Sequence, residues 1–175
     1  MSRPIRPRLG VCAGYTAAAW AFAFAALSLY WAAGGTRAAE TVLGPQATHY
    51  SWATDPAVMT ATLLAGLLKI LGGLFAIALV RPSWPRAPRW MMFAVGWGAA
   101  LLLVGYGLEA TTSQALVTVH AIHVPADYNW HTARWHLCVW GPVFAVWGVL
   151  LGLAVRDYQS NGLSSRPSAT DTPAR

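Results

Sequence analysis

The sequence predicts an all-α membrane protein: a four-transmembrane-helix bundle with both termini in the cytoplasm. Three observations predict it. Of 175 residues, 56% are hydrophobic and only 10% are charged, where a soluble domain carries about 25% charged residues. The apolar residues gather into four runs, each of about 20 residues or more and therefore able to cross a ~30 Å hydrocarbon core as a helix. The arginines lie almost entirely on one side of those runs. Hydrocarbon offers a backbone no outside hydrogen-bond partner, so helices and not open strands are expected.

The elements follow in order. Residues 1–8 form a basic N-terminal tail, MSRPIRPR. One membrane domain, residues 9–156, holds spans at about 9–33, 57–80, 90–110 and 135–155. Residues 157–175 are rich in Ser, Thr, Pro and Asp, with too little apolar surface to fold alone, and are expected to be disordered. Arg3, Arg6, Arg8, Arg81, Arg86, Arg89, Arg156, Arg166 and Arg175 flank one side; only Arg37 and Arg134 fall on the other. By the positive-inside rule this bias places both termini in the cytoplasm of a multi-pass protein of the cell membrane. The apolar stretch from Leu9 to Ala33 exceeds the roughly 7–15 residues of a signal-peptide core, so it reads as an anchor.

The net charge of +6 is absorbed by this flanking pattern. No basic helix or basic folded domain is present, so nucleic acid is not an expected partner. The expected partners are the bilayer and a hydrophobic small molecule; no cofactor is implied. Cys12 and Cys138 fall near opposite faces and should not pair, and no CxxC motif occurs. Gly148 and Gly152 form a GxxxG spacing that permits close helix approach. Pro142, inside the fourth span, should bend it and free a carbonyl near Cys138.

Candidate chemistry lies opposite the arginines. The densest cluster is HAIHVPADYNWHTARWH, residues 120–136. His120, His123 and His131 are candidate metal ligands if the segment is helical. The β-branched LVTVHAIHV before Pro125 is equally compatible with an extended or re-entrant piece, in which His120 and His123 point apart. Hydrated interfacial histidines, or proton-handling ones, are the other readings.

Lys69 is placed near the middle of the second span. An ionised group there costs about 2.5–3.5 kcal/mol on insertion scales, so it should face a protein interior. Glu109 is expected in the last turn of the third span. A carboxyl bordering the apolar interior is a candidate general acid, because lost hydration opposes its ionisation. Asp55 and Asp127 complete the candidate catalytic set. Tyr30, Trp31, Tyr50, Trp52, Tyr128, Trp130 and Trp135 read as one interfacial belt, and Trp84, Trp90 and Tyr158 as another. Trp31, Trp97, Tyr106 and Trp140 are candidate substrate-binding residues, since an aromatic pocket suits a flat or isoprenoid-like molecule and stabilises a cation.

Three stretches carry a resemblance: SLYWAAGGT at residues 28–36, LVRPSWPRAPRW at 79–90 and LCVWGPVFAVWGVLLGLAV at 137–155. They resemble a family of small four-span bacterial membrane proteins, chiefly actinobacterial, defined by a domain of unknown function. The likeness covers most of residues 12–157. It departs at residue 141, where an acidic residue is expected between Trp140 and Pro142 and Gly141 stands instead. It implies the four-span fold and transfers no catalytic residue.

Two functions follow from these residues. One is an enzyme, in which an acid protonates an alkene or epoxide and aromatic walls hold the cation, giving cyclisation or isomerisation of an isoprenoid-like substrate. Small membrane terpene cyclases are an analogy for that chemistry, with no shared motif. The other is a non-catalytic protein that binds a lipid or partner or assists a transporter. Convergence of Lys69, Glu109 and Asp55 on one cavity would favour the enzyme.

Overall fold

The computed structural model describes residues 9–45, 53–81 and 88–163, the last three of these as helix only. The helices are α1 (Leu9–Ala32), a single turn α2 (Glu40–Leu43), α3 (Pro56–Val80), α4 (Arg89–Thr118), α5 (Trp130–Trp135) and α6 (Gly141–Leu163). A π-helical turn, His136–Trp140, joins α5 to α6 into one rod. Four segments are long and apolar enough to cross a membrane: Leu9–Ala32, Pro56–Val80, Arg89–Thr118 and Trp130–Ser160. No strand occurs among the described residues.

Small residues decide how these rods meet. The buried face of α1 is Gly10, Ala13, Gly14, Ala17, Ala18, Ala21, Ala25 and Ser28, a stripe at helical spacing. Against it α3 sets Gly66, Gly73 and Ala76. A Cβ on Gly66 would sit 3.0 Å from the Leu29 side chain, and one on Gly73 would sit 2.8 Å from the Phe22 ring. The α4–α6 contact is tighter. A Cβ on Gly107 would lie 2.4 Å from the Ala145 nitrogen, and one on Gly148 would lie 2.7 Å from the Ala100 carbonyl. Helices gain little by burying apolar surface from lipid, so backbone approach at small residues is what holds them together. The GxxxG of the sequence is thus used inside the chain.

The resulting layout has α1 packed on both α3 and α6, and α6 packed on α4, while α3 and α4 barely touch. Alanines and Val155, Leu151, Leu79, Met92 and Trp147 fill the centre. Leu64, Leu68 and Leu71 of α3 and Leu101 and Leu102 of α4 are more than half exposed on the outer surface. Large leucines outside and alanines inside invert the soluble pattern and suit a lipid surround.

Both ends are shaped by local sequence. Gly34, at φ +87°, ends α1. Its N–H donates to the Trp31 carbonyl, and the Gly35 N–H donates to the Tyr30 carbonyl; this is a Schellman turn, which needs the left-handed backbone that glycine adopts freely. Asp55 caps α3, accepting from the Ala57 N–H at 2.8 Å and the Val58 N–H at 3.4 Å, with Pro56 at the first helical position.

Three expectations need correction. The third span does not stop near Ala110; α4 continues to Thr118. The β-branched LVTVH segment is thus mostly helical, because continuing the rod satisfies its backbone groups, and the chain turns only at His120, at φ +58°. Trp31 is not a belt residue but is 8% exposed, packed with Ala39, Leu27 and Val42. Helix α6 runs on to Leu163, through the start of the expected tail. Tyr50, Trp52, Trp84 and His49 lie outside the described residues.

Gly107→Leu should destabilise the bundle by roughly 1–3 kcal/mol through overpacking against backbone that cannot retreat. Gly105→Ala meets nothing within 4 Å and should be neutral or stabilising by up to about 1 kcal/mol, from helix propensity alone. Unfolding of both variants in bicelles measures the contrast.

Candidate intramembrane site

Where α3 and α4 part, a cavity of about 190 Å³ opens in the half of the bundle nearest residues 33–45, 53–55 and 119–129. Phe24, Leu27, Ser28 and Trp31 of α1 form one wall. Trp140 of the π turn, Phe144 of α6 and Tyr106 of α4 form another, with His136 and Val42 closing the end and Lys69 entering from α3. Tyr106 is 46% exposed, so it stands at the gap between α3 and α4 as well as against the cavity.

Lys69 is the cation of this site. Its Nζ donates to Ser28 Oγ at 2.8 Å, and Ser28 is only 3% exposed. Gly66 packs level with Ala25. Lys69 is three residues to one side of that level and Ser28 three to the other, so their backbones are offset by about 9 Å along the helix axis, and the lysine side chain, the 2.8 Å hydrogen bond and the serine side chain together span it. The lysine can reach that way because Cα–Cβ bonds tilt toward a helix N-terminus, which in α3 is the connection end. The ammonium therefore lies nearer the connection end than the Lys69 backbone does. Among the described residues no carboxylate pairs with it.

Hydrogen bonds fix the walls around it. Trp31 Nε1 donates to the Arg37 carbonyl at 3.0 Å, and Trp140 Nε1 donates to Thr41 Oγ1 at 3.3 Å. Thr41 Oγ1 in turn donates to the Ala38 carbonyl at 2.6 Å. Both indoles therefore turn their polar edges to the α2 region and leave rings for the cavity. Phe24 stacks on Phe144 at 5.7 Å between centroids, and Tyr106 meets Phe144 edge-on at 5.0 Å. His136 Nδ1 lies 3.0 Å from the Thr132 carbonyl. That contact requires Nδ1 to carry hydrogen, so in the neutral ring Nε2 is the acceptor.

The π turn has a local cause. Pro142 has no N–H to give to the Cys138 carbonyl, and the Gly141 N–H instead reaches back to the His136 carbonyl, five residues away. Gly141 itself has no room for a side chain: a Cβ there would lie 2.2 Å from Thr111 Oγ1 and 2.9 Å from the Gly107 carbonyl.

Beyond Val42 and His136 lies a second cavity of about 340 Å³. It lies between the α2 turn, the end of α4 and α5, and its polar lining includes Gln114, Asp127, Tyr128, Asn129 and Thr132. Tyr128 Oη donates to Gln114 Oε1 at 2.5 Å. Asn129 caps α5, accepting from the His131 and Thr132 N–H groups.

The sequence candidates therefore divide. Lys69, Trp31, Tyr106 and Trp140 share the first cavity, and Asp127 lines the second. Asp55 is an exposed helix cap. Glu109 is exposed on α4, nine residues before its end, on the stripe that carries Leu102, Leu108 and Leu116. Trp97 packs near Gly152, about 13 Å from Tyr106 along α4 by helical rise. Lys69, Glu109 and Asp55 thus do not converge.

The histidines scatter. His131 Nε2 accepts from Trp135 Nε1 at 3.1 Å, His120 meets Trp130 edge-on, and His123 is exposed. Among the described residues no three of His, Cys, Asp or Glu gather as a metal site would require.

Sequence reasoning missed Ser28 and passed over His136. One signal was present for each. Ser28 is the one hydroxyl on the buried small-residue stripe of α1, and His136 stands four residues after Thr132 on a helical segment.

The model of a protein family described as "protein of unknown function (DUF3995)" matches residues 21–151. That stretch covers three quarters of the chain and all of the first cavity's lining. The chain belongs to this family. No curated protein and no solved structure matches it. What a DUF3995 protein of this sequence does must therefore be read from the cavity itself.

Asp55→Ala should cost about 1 kcal/mol of stability through loss of the helix cap, and Asp55→Asn should cost much less. Unfolding measurements on the two variants distinguish a cap from a residue whose charge matters.

Proposed function

We infer that this protein is a multi-pass cell-membrane protein that binds a lipophilic molecule bearing an acidic or carbonyl group, with Lys69 as the polar anchor. The arginine distribution supports placing both termini in the cytoplasm. The cavity would then sit in the outer leaflet, open sideways to lipid between α3 and α4.

The observation that carries this reading is the Lys69–Ser28 pair at the wall of an otherwise aromatic cavity. An ammonium has three hydrogens to donate, and Ser28 takes one. Flat aromatic walls suit a planar or isoprenoid-like body, and a ligand oxygen suits the remaining donors. A charge-assisted hydrogen bond contributes about 1.5–3 kcal/mol, or roughly ten- to a hundredfold in affinity.

Cyclisation or isomerisation of an isoprenoid-like substrate is the weaker reading. Its aromatic wall is present, but of its three candidate acids Glu109 and Asp55 line neither cavity, and Asp127 lines the second cavity and not the aromatic one.

Mass spectrometry of molecules co-purifying with the protein in native-lipid discs tests the proposal. Wild type should retain one class of acidic or carbonyl-bearing lipophilic molecule. Lys69→Met should lower its occupancy by roughly tenfold or more, while Glu109→Gln and Asp55→Asn leave it unchanged. Equal retention by Lys69→Met, or only bulk phospholipid in every sample, would sink the idea.

A further inference from the structure

The two cavities have two lining residues in common, His136 and Val42, which stand where the cavities adjoin. The imidazole is held by its Nδ1 contact to the Thr132 carbonyl, and Thr132 Oγ1 donates to the Glu40 carbonyl at 3.1 Å, tying α5 to the α2 turn that carries Val42. Both residues thus hang on the same short connection between α2 and α5.

We propose that the two cavities are compartments of one site, and that His136 and Val42 form a gate through which a water-soluble anionic group reaches Lys69. This deepens the binding reading and rests on it for the role of Lys69; it adds the route by which the acidic head of an amphiphile arrives. The outer compartment is polar, with Gln114, Asn129 and Tyr128 in its walls; the inner one is aromatic and holds a cation. A charge in a low-dielectric cavity is poorly screened, so Lys69 draws anions inward through any gap where the cavities adjoin. Asp127 at the outer wall disfavours the anion's resting there and leaves the Lys69 compartment as its end point. Nε2 of His136 is the one ring atom left open to a passing hydroxyl or water, since Nδ1 is engaged.

The test uses the full chain in lipid nanodiscs with both native cysteines replaced (Cys12→Ala, Cys138→Ala). A reporter thiol is placed by Tyr106→Cys or, separately, Phe144→Cys, with Asp127→Cys as the outer control. The probes are membrane-impermeant methanethiosulfonates, one anionic (ethylsulfonate) and one cationic with a fixed charge (ethyltrimethylammonium). The inner thiols are expected to react with the anionic reagent. Val42→Trp should slow that reaction severalfold while the Asp127→Cys rate holds, and His136→Trp should do the same by an independent substitution. Lys69→Gln should shift the anion-to-cation rate ratio at the inner thiols by roughly tenfold toward the cation. Circular dichroism and monodisperse elution confirm that each variant is folded, and Val42→Phe replaces Val42→Trp where it is not.

Inner thiols that react equally fast with the gate blocked overturn the proposal. So do inner thiols that react only with lipid-soluble N-ethylmaleimide, which would make the lateral gap the sole route. In either case Lys69-dependent ligand retention can still hold, so the two readings fail separately.

Discussion

Backbone-to-backbone approach between α4 and α6 is the constraint on which the rest of the structure depends. In lipid the helices have no hydrophobic drive to associate, and only contacts closer than side chains allow supply enough dispersion and carbonyl contact to hold them. Gly107 against Ala145, Gly148 against Ala100 and Gly141 against Thr111 supply these on one side. The alanine stripe of α1 against Gly66 and Gly73 supplies them on the other. With both pairs this tight and α1 packed on α6, α3 and α4 barely touch each other. The space between them is what Tyr106, Lys69 and the aromatic residues border. The cavity is therefore a consequence of where the glycines are, more than of any residue that lines it.

The same constraint explains Gly141 and the π turn. An acidic side chain at position 141 is incompatible with Thr111 Oγ1 where this chain places it, so close α4–α6 packing and an acid at that position exclude one another. Pro142 then removes the next helical donor, and the extra residue of the π turn rotates the preceding segment. His136 comes to line the cavities by that rotation, and its neighbour Cys138 is exposed. A packing requirement in the membrane interior thus fixes the direction of a titratable ring at the cavity's end.

Much of this fold was legible in the sequence, for a definite reason. Hydropathy runs and flanking arginines report the interaction of each helix with the bilayer, which is local to that helix. Helix partners are not local. Ser28 and Lys69 are 41 positions apart, and their pairing depends on which side of α3 faces α1. Asp55 reads from the sequence as an acid bordering the apolar interior; that its carboxylate caps a helix is visible only in the Ala57 and Val58 contacts. Glu109 reads as a last-turn residue because the apolar run ends near Ala110, whereas the helix continues through polar and β-branched residues to Thr118. At the end of a membrane rod, backbone satisfaction overrides β-propensity.

On the binding reading, the depth of Lys69 would also set how strongly the site draws a ligand. A lysine charge at the bilayer centre costs about 2.5–3.5 kcal/mol on insertion scales. Climbing toward the connection end reduces that cost, and the Ser28 hydrogen bond offsets more, by about 1.5–3 kcal/mol for a charged donor. The two terms are of similar size, so the empty site can be tolerated without an ion pair. An internal carboxylate would have satisfied the ammonium outright and left nothing for a guest. Among the described residues a single neutral hydroxyl takes one of the ammonium's three hydrogens, and the remaining donors are what the proposed anchor role would draw on. Arginine in the same place would present five donors on a rigid plane, more than one serine hydroxyl can satisfy.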